Sequence, residues 1–331
     1  MMEKMVLRLV KYSLILVVAC LACNNPTKPP KGKTRKDNPP VIAKTPAPTL
    51  NADSAYFFIE KQVSFGPRVP GTKAHYNTFV FLREWLNKYT DTVYIQDAKA
   101  ETFDKKTIPI YNIIGSFKPE LTKRVLLFAH WDTRPFADED DSASSMPILG
   151  ANDGASGVGL LLEIARLIHE NEMNRIGVDI IFFDAEDWGN GAYDDSYCLG
   201  SQYWAKNPHI PSYQAEYGIL LDMIGAKNAQ FAIEGFSNQY APHVVSKVWN
   251  AAASLGHANT FVSYNRGYVT DDHYYVNKYT GIPVIDIIHY EPKVGSSFGT
   301  FWHTHDDNMD IIDKTTLSKV GNTLLNVLYN E

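Results

Sequence analysis

Three acids within four residues, Asp184, Glu186 and Asp187, follow the stretch VDIIFF (178–183), which reads as a buried strand. Carboxylates in such a place are costly unless something compensates their charge. Two adjacent acids can divide two tasks: one ligates a cation while its neighbour stays free to move protons. Groups of the same chemical kind stand at comparable places elsewhere. VLLFA (125–129) ends in His130, Trp131 and Asp132, and GILL (218–221) ends in Asp222. Asn152-Asp153-Gly154 precedes a long helical pattern, and FWHTHDD (301–307) carries His303 and His305. Carboxylate and imidazole donors converging on one edge suit a zinc ion.

Taken singly, each piece also reads as ordinary structure. His130 with Asp132 fits a strand-end histidine held by its neighbour. Asp153 fits a turn or a helix cap. Asp222 fits a buried capping acid, and His303 competes with His305 as a surface residue. The pair Glu186-Asp187 is the strongest piece, because adjacent acids after an apolar run seldom form a plain solvated loop. Order and position together carry the reading.

These residues need elements to position them. Strand-like runs recur at 92–98, 111–117, 124–132, 178–185, 218–225, 230–235 and 282–290. Helical patterns lie at 52–63, 74–89, 156–172, 240–256 and 313–330. The alternation predicts an α/β domain: a three-layer α/β/α sandwich around a mixed, mostly parallel central sheet. The strands are apolar on both faces, as expected under two helical layers. Sites in such sheets form at the carboxyl ends of strands, where the acids and imidazoles stand. The segment 133–149 is expected to rim the site. Asp194 and Asp195 read as a solvated turn, with a structural ion as the other option.

The first fifty residues are of another kind. Lys4, Arg8 and Lys11 precede an apolar run from Leu14 to Ala19, which is too short to span a bilayer and reads as a signal peptide. VVAC (17–20) resembles a bacterial lipobox, which implies cleavage before Cys20 and a lipid on its thiol; a plain signal peptide is the alternative. Residues 20–50 then form a Pro/Lys-rich linker, leaving 51–331 as one catalytic domain. The protein is thus expected to be an exported bacterial lipoprotein, on the periplasmic face of the inner or outer membrane and touching it only through the anchor. Residues 1–50 carry nine Lys/Arg and two Asp/Glu, a net of +7; the whole sequence is at −6, so residues 51–331 stand at −13. Such an acidic domain argues against nucleic-acid binding. Only Cys198 lies beyond the signal region, so the domain must be stable through its core.

The order of motifs resembles the superfamily shared by zinc aminopeptidases and glutaminyl cyclases. The matching stretches are AHWD, GANDGASG, FFDAED, LGSQYWA, LLDMIGA, DDH, GIPVIDI and WHTHDD, spread over roughly 105–330. By that resemblance Asp153, Asp187 and His303 are the zinc ligands and Glu186 is the general acid/base. His130 and Asp222 occupy the positions that complete a second metal site in the aminopeptidases, so one zinc is expected with a second not excluded.

Within the superfamily, Asp271-Asp272-His273 resembles the cyclase pattern, where aminopeptidases commonly carry Ser-Asp-His. The resemblance implies that Asp271 joins Glu186 and Asp222 in a hydrogen-bonded network. It also places Trp302 as a pocket wall, and Trp188 is expected as another. Asp187 stands where relatives usually have Glu, Asp286 stands where animal cyclases have histidine, and their disulfide has no counterpart. These departures resemble the bacterial branch of the glutaminyl cyclases. The implied activity is conversion of N-terminal Gln of peptides or proteins to pyroglutamate; a metalloaminopeptidase is the alternative, and a metal-binding protein without turnover a third class.

Overall fold

The computed structural model describes residues 46–173, 175–292 and 298–331. The expected signal peptide, Cys20 and most of the linker lie outside them. Lys44–Glu331 forms one compact unit. A six-stranded sheet runs through it. Its strands are β1 (Thr92–Glu101), β2 (Thr107–Phe117), β3 (Arg124–His130), β4 (Gly177–Phe183), β5 (Tyr217–Asp222) and β8 (Val284–Ile288), in the spatial order β1-β2-β4-β3-β5-β8. The pairs β4/β3, β3/β5 and β5/β8 are parallel, while β2 runs antiparallel to both neighbours. A small parallel pair, β6 (Phe231–Ile233) and β7 (Phe261–Asn265), stands apart.

Strand alternation explains the three layers. Successive side chains point to opposite faces, so Val125, Leu127 and Ala129 of β3 face one way and Leu126 and Phe128 the other. The first face packs on α1 (Ala52–Ser64), α2 (Lys73–Tyr89), α3 (Ala155–Glu170), α6 (Pro242–Ser254) and α8 (Lys314–Tyr329). The second packs on α4 (Leu199–Lys206) and α7 (Asp272–Thr280). The helix α3 sits close on the sheet. A Cβ at Gly157 would collide with the Leu221 carbonyl oxygen and meet Ala129 Cβ at 2.8 Å, so only glycine permits that approach.

The expected strands and long helices are all present. The helices α4, α7 and α5 (Gly235–Tyr240) and the strand β7 were not expected. At the amino ends of β3 and β4, Asp179 is fully satisfied inside the protein. Arg124 donates Nε–H and Nη2–H at 2.7 and 2.6 Å, and Ser116 and Tyr213 donate their hydroxyls at 2.5 and 2.6 Å.

Candidate functional site

The carboxyl ends of the parallel strands deliver the polar groups. His130 ends β3, Asp222 ends β5, Asp184–Asp187 follow β4, Asp153 precedes α3, and Asp271 is the N-cap of α7. Five of these acids, Asp153, Glu186, Asp187, Asp222 and Asp271, border a cavity of about 120 Å³. Asp153, Glu186, Asp187, Asp222, Asp271 and His303 form its polar wall; Tyr197, Met223, Val269, Ile288, Phe298 and Trp302 form much of the rest.

Asp153, Asp187 and His303 each offer one ligand atom, and these atoms lie within 4.8 Å of one another. His303 Nε2 is 3.3 Å from Asp187 Oδ1 and 3.9 Å from Asp153 Oδ2. Asp187 Oδ2 is buried without a hydrogen-bond partner, as suits an atom kept for a cation. The opposite nitrogen of His303, Nδ1, is 3.2 Å from Asp138 Oδ1. That carboxylate is clamped by Arg134, whose Nε–H and Nη2–H reach it at 2.6 and 2.5 Å. A carboxylate behind an imidazole fixes its tautomer and aims the other nitrogen at a metal. Two carboxylates and one imidazole, with a pocket in front, fit zinc with an open position. Burial lowers the affinity of His303 for a proton, but Asp187 and Asp138 outweigh it and hold the pKa at about 9. A cation at this site would take over that role.

Asp153 also belongs to a second group. Its Oδ1 is 3.0 Å from His130 Nε2, which is 3.2 Å from Asp222 Oδ1. A third group joins Glu186, Cys198 and Asp271. There the Cys198 thiol donates to Glu186 Oε1 at 3.1 Å, and the Cys198 amide donates to the Glu186 carbonyl at 2.8 Å. Burial, with Asp187, Asp271 and Asp272 as like charges, pushes the Glu186 carboxyl well above the ordinary range, against the pull of His130. Burial and Asp222 raise Asp271 to about 7. Burial and Asp153 raise Asp222 to about 6, against the hydrogen bond from His130. A carboxyl so tuned can hold a proton near neutral pH and release it.

The local backbone is held for this purpose. Asp132 accepts the amides of Glu186 and Asp187 at 3.0 and 3.2 Å, fixing the acid pair. Asp307 accepts the amides of Asn152 and Asp153 at 2.7 and 3.0 Å. Gly154 lies against His130: a Cβ there would meet its Nε2 at 2.6 Å and collide with its carbonyl oxygen. Ala185, Cys198, Met223 and His303 all adopt positive φ, between 49° and 59°. Non-glycine residues in that region are strained and concentrate at functional sites.

The expected site residues thus meet in one place, with one exception. Trp188 does not line the cavity; its indole packs with Val69, Ile108, Ile110 and Ala185 in a small apolar cluster. Tyr197, Phe298 and Trp302 are the large aromatic rings of the wall, and Trp302 stacks on the His303 ring with centroids 3.6 Å apart. Of the opening acids, Asp184 turns away and accepts His75 Nε2–H at 2.9 Å and the Tyr111 amide at 2.7 Å. His305 faces solvent against Asp140 at 2.8 Å. Asp195 takes the Tyr275 hydroxyl at 3.0 Å, with no group of three metal-ligating residues around it among the described residues. The segment 133–149 does reach the site, through Arg134 and Asp138. Asp138, Asp307 and Cys198 were not expected as supports, nor was the hold of Asp132 on the acid pair, and no local spacing marks such long-range partners.

Residues 112–328 match peptidase family M28. A Zn-dependent exopeptidase from Parabacteroides distasonis is similar in structure, with a TM-score of 0.84 and 50% identity over 86% of this chain and 100% of that one. A glutaminyl cyclase from Tannerella forsythia gives the same TM-score, identity and coverage. The glutaminyl-peptide cyclotransferase of Bos taurus is 25% identical over 246 residues. The alignment spans 64% of this chain and 64% of the bovine protein.

Proposed function

This chain belongs to peptidase family M28, and on that premise we propose that it is a zinc-dependent glutaminyl-peptide cyclotransferase. It would convert N-terminal Gln of peptides or proteins to pyroglutamate and release ammonia. The carrying observation is Glu186, partly open to a cavity of about 120 Å³ beside the ligand set, with Asp271 and Cys198 close behind it.

The substrate's α-amine is the nucleophile, attacking the γ-carbonyl carbon of the same residue. The new N–C bond closes a five-membered ring, and the bond from that carbon to the amide nitrogen breaks. Zinc on Asp153, Asp187 and His303 would supply Lewis-acid polarisation of that carbonyl. Glu186 takes the proton from the attacking amine and gives one to the departing amide nitrogen, so its carboxylate is regenerated as ammonia leaves. Asp271 and Asp272, as like charges, keep the proton affinity of Glu186 high enough for both transfers, and Asp222 in turn raises that of Asp271. Trp302 and Phe298 wall the cavity so that the glutamine must curl, which brings amine and carbonyl together.

The group His130–Asp153–Asp222 favours a second reading, a two-metal aminopeptidase. A Gln-Phe dipeptide separates the two. Chelator-sensitive loss of ammonia from the intact dipeptide, read by mass spectrometry, supports the cyclase. Free glutamine and phenylalanine overturn it in favour of the aminopeptidase.

The location proposal stands on the sequence: a signal peptide, a lipid on Cys20 and a proline-rich tether would keep the domain outside the cytoplasm, facing exported peptides. Labelling with a radioactive fatty acid, lost in Cys20→Ala, tests it.

A further inference from the structure

A curled glutamine fills the small cavity, so the rest of a peptide substrate must leave through its mouth. A second, larger depression of about 500 Å³ opens there, and it shares Tyr197 and Thr270 with the cavity as walls. Its other lining includes Tyr193, Asp194, Tyr274 and Lys278. Tyr193 is 56% exposed. Lys278 Nζ lies 3.7 Å from Asp195 Oδ1 and over the Tyr274 and Tyr279 rings, 5.2 and 5.1 Å from their centroids. The groove therefore already holds one cation by carboxylate and aromatic faces together. Asp194 is exposed and has no ion-pair partner among the described residues.

We propose that this groove takes the second and third residues of the substrate peptide and favours cationic side chains there, with Asp194 as the charge partner and Tyr193 as a stacking face. The inference rests on the cyclotransferase reading and names its preferred substrate class: peptides beginning Gln-Lys or Gln-Arg. The chemistry is that already used on Lys278. A guanidinium or ammonium over a tyrosine ring gains from the ring quadrupole, and a carboxylate beside it adds a screened Coulomb term. Both terms are modest at an exposed site, so together they amount to roughly a three- to tenfold preference. Lysine and arginine at the second or third residue carry long, cationic side chains suited to such a groove, and a glutamate there would meet Asp194 as a like charge.

The test compares Gln-Lys-Lys, Gln-Ala-Ala and Gln-Glu-Glu amides. For the active protein, kcat/KM is measured at low and high salt. For Glu186→Gln, dissociation constants of the same peptides come from calorimetry, which needs no turnover. The expected order is Lys above Ala above Glu in kcat/KM, through KM rather than kcat, and the reverse order in the dissociation constants. The spread should shrink in high salt and in Asp194→Asn, and stay in Glu60→Gln, a change on the distant helix α1. Equal values for the three peptides, or a spread unchanged in Asp194→Asn, overturn the proposal. Binding that keeps the Lys preference while no peptide is cyclised leaves the groove standing and removes the cyclotransferase reading instead.

Discussion

The two ends of strands β3 and β4 handle buried charge in opposite ways. At the amino ends, Asp179 is saturated by Arg124, Ser116 and Tyr213. Around the carboxyl ends, Asp187 Oδ2 after β4, Asp271 Oδ2 and both Asp272 oxygens at the start of α7, and both Asp286 oxygens within β8 are buried without hydrogen-bond partners. Burial and the neighbouring acids push Asp286 well above the ordinary carboxyl range. The same fold that closes one polar network completely leaves the other open. Buried polar atoms without partners are costly. Asp187 and Asp271 line the cavity and the other two stand behind it, which marks this side of the sheet as prepared for a cation and a substrate, and the saturated end as scaffold.

That contrast is broken most severely by His303→Ala. It removes an imidazole from the open end and should abolish bound zinc and ammonia release together, while circular dichroism keeps the native shape. Loss of activity with a full zinc complement would detach the histidine from the metal. At the closed end, Arg124→Met leaves Asp179 buried and uncompensated. It should cost about 3–5 kcal/mol of stability, seen in denaturant unfolding, with kcat/KM of the folded fraction unchanged.

A smaller effect is expected at Asp138, which supports His303 from behind. Asp138→Asn should weaken zinc about 10- to 100-fold, measured by competition with a chromophoric chelator, without a matching loss of stability. The smallest sharpening concerns Glu234, a saturated carboxylate close to the open end. Burial raises its pKa, but His273 and the amides of Ser237 and Val269 outweigh it and bring it to about 2. A depressed folded pKa contributes stability above the ordinary glutamate range, and that stability is lost as pH falls from about 4.5 toward 2. Glu234→Gln should flatten this part of the acid-unfolding curve; an unchanged curve would assign acid unfolding to other carboxylates.

Much of the scaffold was legible because long apolar runs make β3, β4, β5, α3 and α8. The helix α7 was not: DHYYVNKYT has few aliphatic residues, and it is buried through Tyr275 and Val276. The strand β7 is short and mostly exposed, so neither length nor alternation marks it. At the site, strand ends foretold where Asp153, Asp187, Asp222 and His303 gather. They could not separate Asp184 from its neighbours, since its partner His75 lies 109 residues away. Trp188 misled for a related reason. The turn at Ala185, with φ of 54°, redirects the backbone so that the tryptophan packs beneath the acids instead of in front of them.

The account turns on Glu186 moving protons beside a metal it does not hold. One preparation of Glu186→Gln, assayed for zinc by atomic absorption and for ammonia from Gln-Phe, tests this most directly. The account predicts zinc bound as in the parent protein and turnover lowered by about 10²- to 10⁴-fold. Retained turnover, or zinc lost along with it, would contradict the division of labour between Glu186 and Asp187.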